Sequence, residues 1–239
     1  MAKNLEILSS KQTLIERALV IVTQKIQAAI QDRSICTIAL AGGSTPKPLY
    51  EALSQQDLPW DKIHIFWGDE RYVPPTSPES NQRMAFEAWL NRVNFPEANL
   101  HPMPTAAGNP ELDAEQYEAE LRQVFDVEPP QFDVILLGIG DDGHTASLFP
   151  HTEALTVGDR LITVGNKDGK PRLTFTVSLI NNSRCVIFLV AGEDKQQALF
   201  QILASSADEM TYPARLIQPR GELWLLLDQA AGAGMGVAS

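Results

Sequence analysis

The segment from Gly138 to Pro150, GIGDDGHTASLFP, concentrates the proton-transfer chemistry of this chain. His144 is the obvious proton-transfer group, because an ordinary imidazole titrates at about 6.5. Asp142 lies two residues away across a glycine and could orient the ring or stabilise its charged form, as base and orienter do in a triad. No serine or cysteine stands where a nucleophile would; Ser147 is expected at the start of a helix, in a capping or local-bonding role. Asp141, Asp142, His144 and His151 are competent metal ligands by chemistry. Their spacing matches no metal motif and adjacent aspartates point apart, so no metal is expected. His64, within a strand, and His101, in a proline-bounded loop, read as structural.

Three other segments could hold an anion. In Ala41-Gly42-Gly43-Ser44-Thr45-Pro46, glycines let backbone amides approach a ligand, and a following helix would present its positive end. A tight strand-to-helix turn capped by Thr45 explains the same residues. The segment lacks a Walker lysine and the dinucleotide glycine pattern, so ATP and NAD have little support. In Trp67-Gly68-Asp69-Glu70-Arg71-Tyr72, the Arg71 fork could grip an anion, or pair with Asp69 or Glu70 to fix the loop. Arg172 and Lys195 are further cations near strand ends.

These residues need a frame, and the chain alternates helical and extended patterns as βα units do. Leu14, Ala18, Leu19, Val22, Ile26, Ala29 and Ile30 form one apolar stripe, predicting a helix over 9–33 capped by Ser9 or Ser10. Strands are expected at 35–41, 63–67 and 134–137, the last an apolar run directly before the histidine segment. Later strands are expected at 161–164, 173–176, 186–190 and 223–227. Helices are expected from Pro46 to Leu53, from Ser80 to Leu90, over 112–125 and over 194–203, with 94–109 irregular and the glycine-rich 230–239 frayed. No repeat or long linker interrupts the pattern. The expectation is one α/β domain over 1–239, three-layered, with a mainly parallel sheet and helices on both faces. Ligands of such sheets bind past the carboxyl ends of the strands, where all these segments fall.

Composition narrows the partners. The formal net charge of −11 argues against a nucleic-acid or anionic-membrane binder, and an anionic ligand would need cations placed against the overall field. Cys36 and Cys185 are expected as reduced, packed thiols. The first residues lack the apolar core of a secretory signal, so a cytoplasmic protein is expected.

AGGSTP at 41–46, WGDERYVP at 67–74 with Ser80-Asn81, GIGDDGHTASLFP at 138–150 and AGEDK at 191–195, in that order, closely resemble the glucosamine-6-phosphate isomerase/6-phosphogluconolactonase family, on its lactonase side. The resemblance spans almost the whole chain. It implies a Rossmann-like fold shared with glucosamine-6-phosphate deaminase and ribose-5-phosphate isomerase. It also implies hydrolysis of 6-phospho-D-glucono-1,5-lactone without cofactor or obligatory metal. A monomer acting on this small molecule is expected. His144 becomes the general base and Asp142 its supporting carboxylate. Gly42, Gly43, Ser44, Arg71 and Lys195 become candidate phosphate and sugar contacts, joined by Arg172. Deaminases of the family carry Asn-Glu-Pro where this chain has Leu148-Phe149-Pro150, and their glutamate assists ring opening. Phe149 cannot transfer a proton, which favours the lactonase.

Overall fold

The computed structural model describes residues 2–235. Strand β1 (Ala2–Leu8) leads into helix α1 (Lys11–Arg33). Ser10 caps that helix: its hydroxyl accepts from the Thr13 amide while the Ser10 amide donates to the Thr13 hydroxyl. Then follow β2 (Cys36–Leu40), α2 (Lys47–Leu53), β3 (Ile63–Trp67), β4 (Asp69–Arg71), α3 (Asn81–Ala88) and β5 (Leu100–His101). The chain continues with α4 (Pro110–Val124), β6 (Val134–Leu137), β7 (Ile162–Lys167), β8 (Lys170–Phe175) and α5 (Val177–Asn181). It closes with β9 (Cys185–Val190), α6 (Gln196–Leu203) and β10 (Glu222–Asp228). Among the described residues no helix is long and apolar enough to cross a membrane.

Seven strands form one parallel sheet in the order β1-β10-β9-β6-β2-β3-β5. Strands β2, β6 and β9 are buried at every position, as expected of strands covered on both faces. Strands β4, β8 and β7 form a separate antiparallel sheet, which the expected arrangement did not include. Its cause is local. Asp168 and Gly169 both take positive φ, 54° and 79°, the turn that folds two adjacent strands back on each other. Gly68 joins the two sheets, donating its amide to Leu40 and accepting the Phe175 amide.

Other boundaries shift for physical reasons. Strand β1 was not expected; it is a half-buried edge strand without a strong apolar signal. His101 lies in the two-residue β5 within the segment expected to be irregular. Pro46, not Thr45, occupies the cap position of α2, with no side-chain cap bond. The tail is turn-like through Gly234 and Ala231 is buried, its amide held by the Asp228 carboxylate; residues 236–239 of the expected frayed tail lie outside the described region.

His64 and His101 are structural, as read. Nδ1 of His64 lies 3.1 Å from Nε2 of His101, whose Nδ1 lies 2.8 Å from the Glu120 carboxylate. This chain of side chains ties β3 to β5 and α4. Burial, then the neighbouring His101, pushes His64 below the ordinary imidazole value. The unfolded chain therefore takes up this proton first as pH falls through about 6.5, and stability declines from there until the folded protein also protonates. The Tm drop between pH 7.5 and 5.5 is expected to be smaller in His64→Gln than in wild type. Equal drops in thermal melts of the two proteins would refute the linkage.

Candidate active site

A cleft of about 400 Å³ opens at the carboxyl edge of the parallel sheet. Its walls are the segments after β2, β3, β6 and β9, which include Gly42, Gly43, Ser44, Arg71, His144 and Lys195, joined by Arg172 of β8. Asp142, the remaining predicted site residue, stands behind His144. The Nδ1 atom of His144 lies 2.5 Å from Asp142 Oδ1, and the His144 amide donates to the same oxygen at 3.0 Å. Burial pushes the Asp142 carboxyl up, but bonds from the His144 side chain and backbone, with the charges of His144 and Lys167, outweigh it and bring it down to about 2. Asp142 is thus ionised at neutral pH.

Local backbone shape makes this pair. The Gly140 amide donates to the His144 carbonyl, and the Gly143 amide donates to Gly140, closing a tight loop. A Cβ on Gly140 would lie 2.0 Å from His144 Nδ1 and 2.7 Å from Asp142 Oδ1, so the ring occupies the space a side chain would need. On its other flank the imidazole meets Phe149, with ring centroids 4.6 Å apart.

The opposite wall is cationic. Arg71 on β4 pairs directly with Arg172 on β8 in the antiparallel register. Neither forms an ion pair with a carboxylate among the described residues. Burial, then the Arg71 charge, pushes the half-buried Arg172 below its ordinary value, although an arginine stays charged throughout the useful pH range. Two adjacent guanidiniums without a counter-ion make a site that an anion stabilises. Lys195 reaches the cleft from the turn after β9, with Nζ 2.8 Å from Asp194.

The expected pairing of Arg71 with Asp69 or Glu70 is not what the fold uses. Glu70 is buried and turned away: its carboxylate accepts from the amides of Arg71, Asn81 and Gln82 and from the Ser80 hydroxyl, capping α3. Burial pushes that carboxyl up against the pull of the three amides. Asp69 accepts from the Ser147 hydroxyl at 2.7 Å, which ties the β4 loop to the histidine loop. Ser147 therefore stands in a buried turn and not at a helix start. Arg71 is held by Asn81, whose Oδ1 accepts from Nη1 at 3.0 Å while its Nδ2 donates to the Asp69 carbonyl.

Asn81 is the positioning residue that sequence reasoning passed over. It packs so closely on Gly42 that a Cβ there would lie 2.0 Å from its Oδ1. Gly42 is required for this approach, while the exposed Gly43 takes positive φ, 97°, and carries the turn. Tyr50 braces the same turn from below, its hydroxyl donating to the Ala41 carbonyl and accepting the Ala41 amide. Lys11 Nζ donates to the Ser44 carbonyl. The signal for Asn81 was present in the Ser80-Asn81 pair; its partner Gly42 is distant in sequence. Among the described residues no three His, Cys, Asp or Glu side chains converge as metal ligands.

The chain has close relatives. A family model described as glucosamine-6-phosphate isomerases/6-phosphogluconolactonase matches residues 9–225. A protein named 6-phosphogluconolactonase from Synechocystis is 66% identical over 98% of this chain and 99% of its own length. The solved 6-phosphogluconolactonase of Trypanosoma brucei superposes with a TM-score of 0.88 at 31% identity, over 98% of this chain and 99% of that one. A monomeric glucosamine-6-phosphate deaminase shares the fold, with a TM-score of 0.80 at 19% identity over 96% of this chain and 99% of its own. The ordered segments, the parallel sheet and these matches lead to one statement: the chain belongs to the glucosamine-6-phosphate isomerase/6-phosphogluconolactonase family.

Proposed function

We propose that this chain hydrolyses 6-phospho-D-glucono-1,5-lactone to 6-phospho-D-gluconate, in the oxidative pentose phosphate pathway. The carrying observation is an imidazole oriented by an ionised carboxylate in the same cleft as two arginines without counter-ions. Ionised Asp142 can only accept, so His144 Nδ1 carries the proton and Nε2 keeps the lone pair. Nε2 takes a proton from water as the oxygen attacks the lactone carbonyl. Arg172, seated on the same Phe149 ring as His144, is the cation assigned to the developing oxyanion. The intermediate collapses, the ring C–O bond breaks, and the imidazolium returns its proton to the departing ring oxygen. The phosphate is held by the Gly42–Gly43–Ser44 turn with Arg71 and Lys195. No step needs a cofactor.

Phe149 supports a lactonase over the ring-opening relatives, because a phenyl group offers no second acid or base. We place the reaction in the cytoplasm, with residues 1–239 acting as one monomeric lactonase unit on a small molecule, and without nucleic acid or membrane. Cys36 and Cys185 suit that compartment: both are free and buried, and burial pushes the Cys185 thiol up to about 12.

Following 6-phosphogluconolactone by NMR with and without protein tests the activity. Loss of lactone at the spontaneous rate would leave only a binding protein, and ammonia release from glucosamine 6-phosphate would make it a deaminase. His144→Ala is expected to lower net turnover by about 10²–10⁴-fold while the Tm stays near wild type. Net turnover like that of wild type would sink the assignment. Arg71→Gln is expected to raise KM for the phosphorylated lactone roughly 10–100-fold, the worth of one or two charge-assisted hydrogen bonds, and to leave unphosphorylated gluconolactone unaffected. Equal losses on both lactones would remove Arg71 from the phosphate site.

A further inference from the structure

The β7–β8 hairpin carries a second cation toward the base. Gly165 on β7 lies flat against the histidine loop: a Cβ there would meet the Ser147 carbonyl at 2.2 Å. Side chains two apart on a strand share a face, so Lys167 turns to the same loop. Its Nζ lies 5.5 Å from the centroid of Phe149, and the Arg172 guanidinium, on the residue paired with Gly165, lies 5.4 Å from that centroid. The His144 ring packs on the same phenyl group. Among the described residues Lys167 has no ion pair, and it does not line the cleft.

We propose that Lys167 is a positioning residue for the His144–Asp142 pair, acting through the Phe149 ring and its own positive charge. This rests on the reading of His144 as general base. In general a positive charge near an imidazole disfavours the imidazolium, and removing that charge extends protonation to higher pH. The same charge favours ionised Asp142, and Lys167 is among the groups that lower that carboxyl. The other charges around the pair are Asp141 on its own loop, Arg172 on the hairpin, Asp69 and Arg71 on β4, and the Asp194–Lys195 ion pair across the cleft. Tyr212 packs against Gly143. Lys167 is the cation of this group that stands outside the cleft, so it can tune the base without touching substrate.

The test compares wild type, Lys167→Met and Lys167→Arg. Methionine keeps an apolar stem on Phe149 and removes the charge; arginine keeps the charge. Net kcat/KM on 6-phosphogluconolactone is measured from pH 5.5 to 7.5, with spontaneous hydrolysis subtracted. In Lys167→Met the acid limb is expected to move up by about half a pH unit, roughly a threefold loss on the limb, with KM and the plateau unchanged. Lys167→Arg is expected to restore the wild-type profile. An equal loss at every pH or a raised KM would each overturn the proposal, as would an unmoved limb accompanied by an unmoved His144 resonance. The His144 Cε1–H resonance, titrated without substrate, separates the two readings. If it moves to higher pH in Lys167→Met while the rate profile has no matching limb, the base assignment fails and the influence of Lys167 stands. If neither moves, the influence of Lys167 is refuted.

Discussion

The cleft exists because the sheet changes its direction of growth between β2 and β6. From β2 the chain adds β3 and then β5 on one side; it then returns to place β6, β9 and β10 on the other. The segments leaving β2 and β6 diverge at that point. Everything with chemical character follows from the separation. The glycine turn after β2 and the histidine loop after β6 face each other across it, and the turn after β9 closes one end. The fully buried strands below make the edge rigid, since neither face of β2, β6 or β9 can shift without opening the core.

Charge is arranged on this frame against the net charge of −11. A protein this acidic could neutralise its cleft arginines with neighbouring carboxylates, and two stand beside Arg71 in sequence. The fold commits both elsewhere: Glu70 to the amino end of α3, Asp69 to Ser147. Arg71 is left to neutral partners, the Asn81 amide oxygen and the Glu79 carbonyl. A guanidinium held by neutral acceptors keeps its full charge for a ligand while losing its freedom to wander. The antiparallel pairing of β4 with β8 then sets Arg172 beside it. The small second sheet is thus a device for bringing two cations together.

Much of this was legible in the sequence. Strands β3 and β6 fell where the apolar runs put them, because a strand covered on both faces has a simple pattern. The four loop motifs named the cleft, since the parallel rule sends them all to one edge. Less legible was whatever depends on partners distant in the chain. Glu70 beside Arg71 reads as an ion pair, and only the position of α3 shows otherwise. Ser147 reads as a cap until Asp69 is beside it. The second sheet was different: Lys167-Asp168-Gly169-Lys170 is a hairpin turn signal between two expected strands, so its antiparallel pairing was readable and was subsumed into the larger parallel sheet.

The glycines of the histidine loop show why motif and mechanism cannot be separated here. In a sequence they read only as breaks after an apolar strand. In the fold, Gly140 supplies missing volume: its bare Cα is the surface on which the His144–Asp142 contact rests. Any side chain at that position would push the imidazole off the carboxylate, and the pair would lose both its geometry and the bonds that lower the Asp142 carboxyl. Phe149 packs on the same imidazole, with ring centroids 4.6 Å apart, so backbone and a phenyl ring both bear on its position. On the proposed reading, an imidazole confined in this way is set for one approach, water attacking a carbonyl lodged by its distant anion. A second proton-transfer group at Phe149 would have to share the space that now confines the first.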